Sequence, residues 1–202
     1  MLFIKQALLS VSDKTGLLDL AVFLQNAGAA LISTGGTARA LTQGGLTVTE
    51  VSDYTGSPEL LDGRVKSLHP KIHAGLLYRR DDPEHQKQMD ALKWAAIDMV
   101  VVNLYPFEKV VAQEGAAMAL ALENIDIGGP CLLRAAAKNH AHVAVLSEPS
   151  DYSLIIKEMI ENQGGIGLNT LKGLALKAFA RTSAYDAAIR DYLASQSLRL
   201  VP

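Results

Sequence analysis

Asp98-Met99-Val100-Val101-Val102-Asn103 is an unbroken apolar run, rich in β-branched residues and closed by a polar side chain at each end. A strand with one face in water alternates apolar and polar residues, whereas a strand covered on both faces has no need to. The run therefore predicts the centre of a parallel sheet. Outward from it, Ala7-Leu8-Leu9-Ser10-Val11 and residues 29–33 predict two further strands, each followed by a helix. The first helix is marked by apolar residues at 17, 20, 21 and 24, and the second covers 37–42 after a glycine pair. A strand–loop–helix unit used twice in succession marks parallel α/β architecture, with helices on both faces of the sheet making three layers. Residues 142–146 supply another strand, and helical patterning returns over 151–160 and 170–193. The break between these helices, Gly164-Gly165-Ile166-Gly167, predicts a boundary: a core over 1–163 and a C-terminal helical segment over 164–202.

The 202 residues fit one domain of generous size, or one with an appended helical tail. Opposite charges nearly cancel, to a net −2, so no nucleic acid and no membrane surface is expected as partner. Cys131 is the single cysteine, which excludes an intramolecular disulfide and suits a reducing, cytoplasmic compartment. The N-terminus lacks signal-peptide character, and no apolar run approaches the roughly 18 residues of a membrane helix.

Within this neutral chain, Gly63-Arg64-Val65-Lys66-Ser67-Leu68-His69-Pro70-Lys71-Ile72-His73 concentrates positive charge around a hydroxyl, and such a cluster calls for an anion. If the segment is extended, Arg64 and Lys66 project to one side and can face one ligand. Ser33-Thr34-Gly35-Gly36-Thr37 precedes a helix and offers unhindered backbone N–H groups, hydroxyls and a positive helix end, all suited to phosphate. It reads equally as a helix cap, as do Ser12, Asp13 and Lys14 after the first strand. Asn103 and Tyr105 end the central strand, and Asp126-Ile127-Gly128-Gly129-Pro130 puts a carboxylate before a glycine turn. Ligands of open parallel sheets bind at the carboxyl ends of strands, where most of these segments fall. His69 and His73 could ligate zinc only on a regular helix, which Pro70 disfavours, and His140 and His142 have no cysteine or carboxylate shell nearby, so no metal is predicted.

Taken together and in order, residues 10–16, 33–37, 63–70, 103–107 and 125–140 closely resemble the inosine monophosphate (IMP) cyclohydrolases. These form the N-terminal domain of bifunctional purine-biosynthesis proteins that also carry an aminoimidazole-carboxamide ribonucleotide (AICAR) formyltransferase. The resemblance implies a methylglyoxal-synthase-like, flavodoxin-type sheet and a chain without the formyltransferase half. It implies dehydrative ring closure of 5-formamidoimidazole-4-carboxamide ribonucleotide (FAICAR) to IMP, without cofactor, and the long apolar C-terminal helices themselves point to a homodimer. By the same resemblance, Ser12, Asp13, Lys14, Thr34, Gly35, Gly36, Thr37, Arg64, Val65, Lys66 and Ser67 bind the nucleotide and its phosphate. Val102, Asn103, Asp126, Ile127 and Gly128 lie against the base, and Lys138, Asp126, Lys66 and Tyr105 are the catalytic group. In a straight helix Asp126 and Lys138 would stand roughly 18 Å apart, at about 1.5 Å per residue. Either the chain folds back or the lysine crosses to another subunit.

Two other functions fit the same features. A methylglyoxal-synthase-type phosphate lyase would use the same fold and phosphate cradle, and a regulatory domain would bind a nucleotide without turnover.

Overall fold

The computed structural model describes residues 1–105, 107–112 and 118–197. Pro106, read from sequence as fixing the exit of the central strand, lies outside the described residues. The chain runs β1 (Leu2–Phe3), β2 (Gln6–Val11), α1 (Leu17–Asn26), β3 (Ala30–Ser33), α2 (Gly35–Gln43), β4 (Val48–Glu50), α3 (Val51–Thr55) and α4 (Pro70–Leu77). It continues with α5 (Pro83–Leu92), β5 (Met99–Asn103), α6 (Phe107–Val111), α7 (Met118–Glu123), α8 (Gly128–Lys138) and β6 (Ala144–Leu146). After a short 3-10 turn come α9 (Tyr152–Glu161), β7 (Gly165–Ile166) and α10 (Leu168–Ser197).

The main sheet has the order β4-β3-β2-β5-β6 and is parallel throughout. At its centre β2 pairs with β5, the strand read from the 98–103 run: Leu8 stands opposite Val100 and Val11 opposite Asn103, and residues 99–102 of β5 are buried. Successive strands first step outward from β2 to β4, and the chain then returns to the other side of β2 for β5 and β6. With right-handed crossovers, this reversal puts the helices of the two halves on opposite faces. Accordingly α1 packs on α9, whereas α8 packs between α4 and α10. The layering is that expected, although the order differs from the flavodoxin order: the switch lies between the first and fourth strands of the sheet. The carboxyl ends of β2 and β5 therefore flank the natural crevice.

At the opposite, amino end of the sheet the buried carboxylate of Asp98 accepts the N–H groups of Lys5 and Gln6 at 2.7 and 2.8 Å. It also pairs with Arg80 at 2.8 Å. This end is closed by structure and leaves the other for chemistry.

Three local features complete the frame. The glycine break at 164–167 contains β7, which pairs antiparallel with β1, so the turn ties the N-terminus to the chain ahead of α10. Pro70 opens α4 instead of breaking it: proline at the first helical position lacks only an N–H that would be unpaired anyway. His69 consequently sits outside the helix as its cap, accepting from the Lys71 N–H at 3.1 Å. It shares no helical face with His73.

Candidate active site

β2 ends in Ser10-Val11, and the loop that begins at Ser12 is fixed by a single side chain from the neighbouring strand. The Asn103 carbonyl oxygen accepts from Ser12 N–H at 2.7 Å and Asp13 N–H at 2.9 Å, while its amide nitrogen donates to Asp13 O at 2.8 Å. Asp13 in turn accepts both the N–H and the hydroxyl of Thr15, which spends the carboxylate on the turn. The helix cap at Gly16 involves no side chain, so Ser12 and Lys14 are left facing the crevice.

β3 delivers the glycine turn. The Thr34 hydroxyl shares a 2.8 Å hydrogen bond with Ser10 and makes no helix-capping bond. The Thr37 hydroxyl is buried between the Val11 N–H and carbonyl, both at 3.0 Å, and so pins the start of α2 to the tip of β2. Thr37 thus braces the turn, while the N–H groups of Gly35 and Gly36 stand at the positive end of a nine-residue helix, a place that suits an anion.

The connection between α3 and α4 carries the third wall. Leu60 and Val65 pair across a tight hairpin whose tip, Leu61, Asp62 and Gly63, has three successive left-handed residues with φ of 54°, 54° and 85°. Two of these are not glycine, a conformation that L-residues adopt at a cost and that collects at functional loops. The return arm places the Lys66 ammonium against Gly35 and Gly63: a Cβ on either glycine would lie 3.9 or 3.6 Å from it. One residue on, the Ser67 hydroxyl occupies the place a side chain on Gly128 would need, 2.7 Å from an added Cβ. Segment 63–67 therefore bridges the glycine turn and the start of α8. Arg64 leans over the rim and pairs with Glu123 at the end of α7.

The fourth wall is the entry to α8. Asp126 accepts the Gly129 N–H at 2.8 Å, which ties the carboxylate to the first turn of α8, and the residue also lines the cavity. A side chain on Gly129 would collide with that carboxylate and with Leu104. The Asp126 N–H is accepted at 2.7 Å by the phenol of Tyr185, a wholly buried residue of α10 that sequence reasoning missed.

These walls enclose about 910 Å³. Its lining includes the polar Lys14, Gly36, Arg64, Lys66 and Ser67 and the more apolar Val102, Tyr105, Leu122, Ile125 and Ile127. Ser12, Thr34, Thr37, Asn103, Asp126 and Gly128 also line it. Among the predicted residues, Gly35 and Val65 are not part of the lining, and Asp13 faces a smaller neighbouring crevice. Lys138 does not line the cavity: it ends an unbroken α8, roughly 15 Å along the axis from Gly128. Beside the smaller crevice, burial pushes the Tyr152 phenol up to about 12, helped by the nearby Asp13 and Asp151 carboxylates, and leaves it protonated. Among the described residues, no group of three or more His, Cys, Asp or Glu is gathered as a metal site.

A family model, the MGS-like domain, matches residues 16–131, more than half of the chain and three of the four walls. The chain belongs to the MGS-like domain family. A second model, the AICARFT/IMPCHase bienzyme, matches residues 136–201 of this MGS-like protein. Together the two matches identify it as a domain of the IMP cyclohydrolase type. The crystal structure of ForH is similar at 35% sequence identity, with a TM-score of 0.86 over 94% of this chain and 96% of that one. Among the described residues no helix is long and apolar enough to cross a membrane.

Proposed function

We propose that the protein is an IMP cyclohydrolase that closes FAICAR to IMP with release of water. The observation that carries this reading is the meeting of Lys66, Tyr105 and Asp126 with a glycine-turn anion cradle in one cavity at the strand tips. The match of the bienzyme model to the rest of the chain supports it. The 5′-phosphate takes the N–H groups at Gly35 and Gly36, with Lys14 and Ser67 beside them and Arg64 arriving from the rim. The base lies toward Val102, Ile125 and Ile127.

Both reacting groups are ortho substituents of one imidazole, so the protein has to hold a rotamer and move protons. The carboxamide nitrogen attacks the formyl carbon. One proton leaves each of the two nitrogens, and both depart with the former formyl oxygen as water. Asp126 takes the proton from the attacking nitrogen, Lys66 and the N–H groups at the start of α8 stabilise the developing oxyanion, and Tyr105 orients the pair. Lys138 is assigned to the same chemistry from a second copy of the chain, since a continuous α8 holds it away from its own cavity.

The test is incubation of the purified protein with FAICAR, following IMP by absorbance with no folate added. Turnover in the wild type and a loss of about 100-fold or more in Asp126→Asn and Lys66→Met are expected. The MGS-like match keeps a phosphate lyase as the competing reading. Phosphate release from dihydroxyacetone phosphate, without ring closure, would establish that reading instead. Nucleotide binding with neither reaction would point to a regulatory domain.

A further inference from the structure

Asp126 lies in a stretch, residues 124–127, that belongs to neither helix nor sheet, so each of its backbone groups needs an individual partner. The Asn124 and Ile125 N–H groups bond back to carbonyls of α7, and Asp126 cannot follow that pattern. Its N–H instead meets the phenol oxygen of Tyr185 at 2.7 Å. The Asp126 carboxylate is held one step further on, by the Gly129 N–H. The direction of the carboxylate is thus set at two points, one of them a side chain 59 residues away.

The Tyr185 ring has a second partner. It stands edge-on to Phe107, with centroids 6.3 Å apart and planes at 73°. The Phe107 N–H bonds back to the Tyr105 carbonyl at 2.8 Å, so the ring steadies the loop that carries Tyr105. Seven residues along α10, and therefore on the same face, Tyr192 packs edge-on against the same Phe107 at 5.7 Å. One buried aromatic residue of the C-terminal helix therefore touches both loops that bring Tyr105 and Asp126 to the cavity. The MGS-like match ends at residue 131, so α10 lies beyond the part of the chain common to that family.

We propose that Tyr185 is a positioning residue: through its hydroxyl it aims the Asp126 carboxylate, and through its ring it couples that aim to Tyr105. In this way α10 tunes an MGS-like cavity for proton transfer without touching the substrate. This rests on the cyclohydrolase reading above. A shift of about 1 Å in a catalytic group can cost on the order of 100-fold in rate, so one hydroxyl behind the carboxylate is enough to matter.

Tyr185→Phe removes the oxygen and keeps the ring against Phe107, and is tested with FAICAR beside the wild type, Asp126→Asn and the double variant. The expected result is a kcat lower by roughly 10- to 100-fold with KM within about two-fold, because the phosphate cradle is untouched. The double variant should be no slower than Asp126→Asn alone, since the hydroxyl acts only through that carboxylate. Melting curves are recorded alongside, and rates are measured with sucrose as stabiliser so that loss of fold is separated from loss of turnover. A Tyr185→Phe protein that melts earlier but keeps wild-type kcat overturns the inference, as do losses that multiply in the double variant. A wild-type chain without turnover overturns the proposed function, and this inference with it.

Discussion

Arg64 and Glu123 face each other across the cavity rim, and both are largely exposed. An exposed pair of this kind is worth about 0.2–1 kcal/mol, so it neither locks the rim nor stabilises the fold much. On the proposed function it competes with an incoming phosphate for the guanidinium. Glu123→Gln is therefore expected to lower the KM for FAICAR by about two- to five-fold with kcat unchanged, as read from initial rates at low salt. An unchanged or higher KM would mean that Arg64 does not meet the phosphate. At this scale the sequence was informative where chemistry is local: a hydroxyl, a glycine pair and a cation next to a predicted strand end. Some residues also do work that it does not show. Thr37 and Asn103 are spent on the backbone of neighbouring strands, which shapes the cradle; no spacing rule shows this, because the partner atoms are 26 and 91 residues distant.

Among the elements, the two ends of the sheet do different work. Asp98 binds two strand-end N–H groups and Arg80 while almost wholly buried. Asp98→Asn leaves the guanidinium without its counter-charge and is expected to cost about 2–4 kcal/mol in urea unfolding, with the KM of the folded enzyme unaffected. A second junction ties α10 to the loop after β6: Lys177 bonds Glu148 and Asp151, both at 2.7 Å. The hydrogen bond from Lys177 holds the Glu148 carboxyl below its usual range, against the effect of partial burial. A depressed folded-state value stabilises the protein above the unfolded glutamate pKa, and that contribution disappears as pH falls through the folded one. Burial alone would lower the Lys177 ammonium, but its two carboxylate partners raise it, so its contribution is lost only as pH climbs through that raised value. Lys177→Met should flatten the acid limb of stability below the ordinary glutamate range, measured as urea midpoints between about pH 3 and 7. Equal slopes in the two proteins would count against the junction.

For the whole molecule, Lys138 is the deciding residue. A continuous α8 places it at the far end of the helix from Asp126, so a role in ring closure requires two chains. Mixing inactive Asp126→Ala and Lys138→Ala proteins, after unfolding and joint refolding, should restore about a quarter of wild-type activity in a two-fold dimer, because half the dimers are mixed and each has one intact site. No recovery, or full activity in Lys138→Ala alone, removes the lysine from the mechanism.

The sequence by itself determined four of the sheet's five strands and the polar segments at their tips. The strands are short apolar runs whose burial depends only on composition, and four of the site's segments sit directly at strand ends or helix starts. Tertiary structure decided the rest. The 63–67 segment takes its place from glycines at 35 and 128, and Asp126 takes its aim from a phenol on the last helix. Lys138 is set apart by nothing more than the straightness of α8. Local patterning records which face of an element is buried, but which distant element it is buried against is fixed only when the layers pack.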